Sequence, residues 1–125
     1  MIVMTKPKIL PPSMRSSKRY LAFEIISDAT ITYNDFVNAV WNSMLTFLGE
    51  FTTPQAKVWV IQNLFDEKSQ RGIIKCGTNY VEHTRVVLSL INMIEEKKVI
   101  IKILGVTGTI KSAKNKYLAG EVNEL

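Results

Sequence analysis

An α+β sandwich, with helices packed on one face of a single antiparallel sheet, is the fold class this sequence predicts. Three observations predict it. Short apolar runs with a two-residue period alternate with longer stretches of helical period, so strands and helices interleave along the chain. The segments follow in the order βαββαβ, which brings both helices onto the same side of the sheet through right-handed crossovers. The 125 residues, 46% hydrophobic and 22% charged, suffice for one domain with a core and leave no room for a second.

Each element has its own sequence signature. Residues 1–17 read as a basic extended arm, because Pro7, Pro11 and Pro12 lack backbone donors and push their predecessors away from helix. Residues 20–27 read as the first strand, with Leu21, Phe23 and Ile25 on one face and Tyr20, Ala22 and Glu24 on the other. Residues 32–48 carry Phe36, Val37, Val40, Trp41, Met44, Leu45 and Leu48, an apolar stripe at helical spacing. Thr32 or Asn34 would cap that helix, Asp35 complements its dipole, and Gly49 would end it. A linker at 52–55 containing Pro54 follows.

Residues 58–65 and 72–76 read as a hairpin around a polar turn at 66–70. Thr78 would cap a second helix over 80–94, residues 95–98 turn the chain, and 99–104 form the last strand. Thr109 would cap a terminal helix over 110–118. The whole is a ferredoxin-like or RNA-recognition-motif-like βαββαβ sandwich with an additional C-terminal helix: one domain of an arm (1–17), a core (18–119) and a tail (120–125). The sheet face away from the helices, which includes Ile26, Ile73 and Ile100, is too apolar to be left to water. The terminal helix or a protein partner is expected to cover it.

Charge is segregated. Residues 1–19 hold five basic and no acidic side chains, residues 20–96 hold five basic and nine acidic, and the block from Lys97 to Lys116 holds six lysines and no acid. Two acid-free basic blocks at the ends of a mildly acidic body favour a polyphosphate partner, nucleic acid, over scattered charge serving solubility. The candidate contacts are Lys8, Arg15, Lys18 and Arg19 from the first block and Lys102, Lys111, Lys114 and Lys116 from the second. Gly105 and Gly108 add a GxxG spacing that clamps backbone in some RNA-binding modules. The plainer reading is that these glycines supply positive φ at a corner.

Catalysis by the polypeptide is not expected. His83 is the only histidine, and lone helical histidines are usually surface groups. Cys76, the only cysteine, has no neighbouring thiol or histidine to share a zinc ion, and cannot form an internal disulfide. Asp66-Glu67 and Glu95-Glu96 fall in expected turns, so no metal site is assigned. The strand-three segment GIIKC lacks an aromatic, which weakens base stacking on the sheet, with Tyr20 left as part of a platform and Phe23 as core. Trp41 belongs to the helical stripe and is expected in the core, and Trp59 on an edge strand is core or a partner anchor. With no long apolar run, the chain is expected to be cytoplasmic, without a membrane partner.

LPPSMRSSKRYLAFEI at 10–25, AVWNSMLTFLGE at 39–50, RGIIKC at 71–76 and KKVIIKILGVTGTIKSAKNKYL at 97–118 occur in this order and closely resemble the archaeal ribonuclease P protein component 2 family. The resemblance implies a noncatalytic subunit of the ribonucleoprotein that removes 5′ leaders from precursor tRNA. It further implies that magnesium on the RNA subunit does the hydrolysis and that the protein binds no cofactor. The implied partners are the catalytic RNA, ribonuclease P protein component 3 and other protein subunits, and precursor tRNA within the holoenzyme; a homodimer within a heterotetramer is allowed. Ile26, Trp59, Ile73 and Ile100 are the candidates for a protein interface. The competing reading is a ferredoxin-like interaction or regulatory module whose basic ends serve solubility alone.

Overall fold

A computed structural model describes residues 18–119. The elements are β1 (Lys18–Ser27), α1 (Tyr33–Ala56), β2 (Trp59–Val60), β3 (Arg71–Gly77), α2 (Val81–Ser89), β4 (Met93–Ile94), β5 (Lys97–Thr107) and α3 (Ile110–Ala113), the last continuing as a wide π-helical turn over Lys114–Ala119. They build an antiparallel sheet in the order β2-β3-β1-β5-β4, with β1 at its centre. The α+β sandwich plan stands, with one short edge strand more than the sequence pattern predicts.

Alternation along β1 sets the layers. Leu21, Phe23 and Ile25 point to the helices and are buried. Phe23 stacks on Phe36 of α1 at 4.7 Å and on Phe65 at 6.2 Å, so three segments meet at one aromatic cluster. Val40 and Met44 of α1, Val87 and Leu88 of α2, and Val99 and Ile101 of β5 complete the core.

Several boundaries differ from expectation for physical reasons. Thr32 caps α1 by accepting from the Asp35 N–H at 3.2 Å, and Gly49 does adopt positive φ (83°), but the helix only breaks there and resumes to Ala56. Thr53 ties the two parts together, its buried hydroxyl contacting the carbonyl oxygens of Gly49 (2.6 Å) and Met44 (3.2 Å) across the break. The expected linker at 52–55 is therefore helical, and Lys57 in left-handed conformation (φ 54°) ends it.

β2 spans two residues rather than eight because a 3₁₀ turn at Gln62–Leu64 swings the chain so that the Phe65 ring enters the core. The strands converge again where the Asp66 N–H donates to the Arg71 carbonyl at 2.9 Å. Thr78 does not cap α2: a 3₁₀ turn over Thr78–Tyr80 intervenes, and the Thr78 hydroxyl is buried with no hydrogen-bond partner among the described residues.

α2 also stops at Ser89, short of the expected 94, since Met93–Ile94 pair with Lys97–Lys98 as a two-residue hairpin. Its loop is Glu95-Glu96, both left-handed (φ 49° and 67°), the backbone of a type I′ turn that Asn-Gly normally supplies. Non-glycine residues in that region are strained. Replacing the pair with Asn-Gly is expected to raise unfolding free energy by about 1 kcal/mol, read as a higher urea midpoint at unchanged slope.

Candidate nucleic-acid interface

Opposed residues of an antiparallel pair share a face, so the registers of β3, β1 and β5 define the side turned away from α1 and α2. Tyr20, Ala22, Glu24 and Ile26 of β1 lie there, beside Arg71, Ile73 and Lys75 of β3 and Ile100, Lys102, Gly105 and Thr107 of β5. The terminal helix crosses the middle of this face. Thr109 caps it, accepting from the Ser112 N–H at 3.1 Å. The helix's own Ala113, and Ala22 and Ile73 on the sheet, are fully buried, and the Arg71 guanidinium donates to the Tyr117 carbonyl at 3.3 Å while its other arm pairs with Glu24 at 3.7 Å.

Gly105 is what lets the helix seat. A methyl group built on it would collide with the Tyr117 ring, which lies where a side chain would be. Its role in the structure is thus close packing. The corner reading also needs correction: Gly105 is still within β5, neither Gly105 nor Gly108 has positive φ, and a side chain at Gly108 would meet open space. Gly105→Ala is expected to cost about 1–3 kcal/mol. Adding Tyr117→Ala should recover part of that loss in a double-mutant cycle.

The cations collect on this side. Lys18, Lys75, Lys98 and Lys102 belong to the sheet face with Arg71, and the covering helix adds Lys111, Lys114 and Lys116, all three exposed. Two acids are paired into the same strand rows, Glu24, which Arg71 holds, and Asp66, bridged to Arg71 across the hairpin. Asp35, Glu50 and Glu82 lie on the helix layer, where Glu82 pairs with Arg85 at 3.7 Å. Cations outnumber acids on this face, and a basic surface results.

Of the residues expected to touch RNA, Lys18, Lys102, Gly105, Lys111, Lys114 and Lys116 converge on this surface or on the helix across it. Arg19 does not: it alternates to the helix side, and its guanidinium donates to the Lys18 carbonyl at 2.8 Å. Lys8 and Arg15 lie outside the described residues, as does the rest of the expected arm. Among the protein-interface candidates, Ile26, Ile100 and Trp59 are exposed. Ile73 is a correction, for the chain's own terminal helix seals it from any partner. Lys75, which alternation in the sequence already puts on this face, and Lys98 are not among the residues expected to touch RNA, yet the registers place both there.

No group of three His, Cys, Asp or Glu side chains among the described residues could hold a metal ion, and no helix among them is long and apolar enough to cross a membrane. Burial pushes the Cys76 thiol above its ordinary pKa, opposed by the Thr84 hydroxyl and the Arg19 charge, so it stays protonated and a poor ligand at neutral pH. His83 packs beside Tyr80, ring centres 5.2 Å apart, on the helix layer.

The model of the Rpp14/Pop5 family matches residues 19–118, the span from the first strand through the terminal helix. The chain belongs to the Rpp14/Pop5 family. Among relatives, ribonuclease P protein component 2 of Pyrococcus furiosus is 46% identical over 114 residues, covering 91% of this chain and 93% of that protein. The Pyrococcus horikoshii protein of the same name is 44% identical, covering 94% and 96%. The Methanosarcina mazei protein is 38% identical, covering 91% and 95%. A chain in the cryo-EM structure of yeast ribonuclease MRP is similar in fold, with a TM-score of 0.61 at 11% identity over 87% of this family member and 91% of the yeast chain.

Proposed function

We infer that this chain is a protein subunit of ribonuclease P, supporting the catalytic RNA in removing 5′ leaders from precursor tRNA. The observation that carries the mechanism is the basic sheet face with its lysine-bearing helix. A large RNA folds against its own phosphate repulsion. A surface presenting fixed cations at strand and helix spacing releases condensed counterions and stabilises the compact arrangement at lower magnesium. The polypeptide is a noncatalytic scaffold in this reading. Magnesium held by the RNA performs hydrolysis, and the particle works in the cytoplasm.

Protein partners have a separate surface. Trp41, expected in the core, is instead half-exposed, as are Phe47, Val86 and Leu90 at the end of α2, and Phe51 is exposed by 81%. Apolar area on that scale is the anchor chemistry of a protein interface, and we assign it to ribonuclease P protein component 3 or another subunit of the particle.

Leader cleavage reconstituted from the catalytic RNA, with and without this chain and component 3, tests the assignment. The chain is expected to lower the magnesium needed for half-maximal cleavage and to cleave nothing by itself. An interaction module with no role in RNA processing would leave the magnesium requirement where it was.

A further inference from the structure

We propose that Trp59, Lys75 and Tyr20 form a stacking platform for a single-stranded segment of RNA, on the open part of the sheet beside the terminal helix. The proposal deepens the reading of the basic face as an RNA interface and rests on it.

The registers carry the argument. Trp59 of β2 is paired with Lys75 of β3, Lys75 with Tyr20 of β1, and Tyr20 with Thr107 of β5, so the four stand in one row across four strands. Directly opposed residues share a face, and neighbouring strands lie about 4.8 Å apart. By register the two aromatic residues flank Lys75 about two strand spacings apart, with Trp59 also bordering the groove lined by Val37 and Trp41 of α1. Val60, next to Trp59, turns inward and is 5% exposed, whereas Trp59 is 63% exposed. A side chain of that size left in water on an edge strand has no role in this chain's core.

The occupant follows from the chemistry of the row. Lys75 makes no ion pair with a described residue. Lys18 is one row away on the same face of β1, and the lysines of the terminal helix lie on the other side. Aromatic faces alternating with unpaired cations suit unstacked bases joined by phosphates, since every base has a π-face and every linkage a negative charge. A protein interface core is depleted in such lysines. A duplex keeps its bases stacked inside and has nothing to offer the rings, so the segment is a loop, bulge or end.

Trp41 and Trp59 are the only tryptophans, so in the full chain carrying Trp41→Phe the indole emission reports Trp59 alone. Titration with a uridine-rich single-stranded RNA is expected to quench it, and a duplex of equal length is expected not to. Trp59→Leu should weaken single-strand binding about tenfold without changing its salt dependence, while Trp59→Phe, which keeps a ring, retains most of the affinity. Lys75→Ala should lower the salt slope by about 0.7. Unchanged affinity in Trp59→Leu overturns the platform, as does emission that responds to a protein subunit and not to RNA. Either result leaves the ribonuclease P assignment standing, because that assignment is read independently from the magnesium requirement of leader cleavage.

Discussion

Replacing Phe23 by alanine is expected to destabilise the folded chain by about 3–5 kcal/mol, the cost of truncating a buried aromatic that cannot be repacked. The ring is fully buried, stacked at 4.7 Å on Phe36 and at 6.2 Å on Phe65, and thus joins the central strand to α1 and to the β2–β3 connection. It sits over Gly72, its partner in β3, where even a Cβ would approach the ring to 2.8 Å. Removing the ring leaves the glycine site with nothing to fill it. Against a total stability of about 5–15 kcal/mol, the loss should appear as a large drop in the urea midpoint. A change below about 1 kcal/mol would mean that the aromatic cluster does not hold the layers together.

The largest expected effect on binding comes from removing Lys102, Lys111, Lys114 and Lys116 together. All four are exposed and none makes an ion pair with a described residue, so alanine at these positions should leave the fold intact. If each neutralises a phosphate, the slope of log affinity against log salt should shrink by about 3–4. A paired control, Lys68→Ala with Arg85→Ala, removes charge away from the four lysines and should leave the slope nearly unchanged. Equal effects from both sets would show that net charge, and not the basic face, governs RNA binding.

Sequence pattern captured what depends on periodicity and missed what depends on a single turn. The alternation of Leu21, Phe23 and Ile25 and the stripe through Phe36, Val40 and Met44 were legible because burial repeats over many residues. Ile91 and Ile94 are buried as their apolar character predicts, yet Ile94 is on a strand. Two apolar positions three apart fit the helical period, and the Glu95-Glu96 loop lacks the Asn or Gly that announces a type I′ turn. Gly49 shows the converse, a correct reading of the backbone but not of the restart, where the Thr53 hydroxyl reaches back to Met44 and Gly49.

The basic face was legible as two blocks of charge but not as a surface. Lys102 and the helix lysines came from the acid-free run near the end of the chain. Lys75 stands alone in the sequence among apolar neighbours; alternation puts it on the open face, and the β1–β3 register sets it beside Tyr20. Arg19 goes the other way because strand alternation overrides adjacency to Lys18. The function of Gly105 was hidden for a related reason: what matters there is the Tyr117 ring, which is twelve positions downstream.

Because the terminal helix is laid across the sheet like a divider, the two ends of one face have become separate addresses. Trp59 and Tyr20 occupy one compartment; Ile26, Ile100 and the half-exposed Met93 border a shallow hollow in the other, with Lys98 at its rim. Occupants of the two need not compete, and substitutions in one should act additively with those in the other. A small protein can in this way hold an RNA strand and a neighbour at once on a sheet barely wide enough for either.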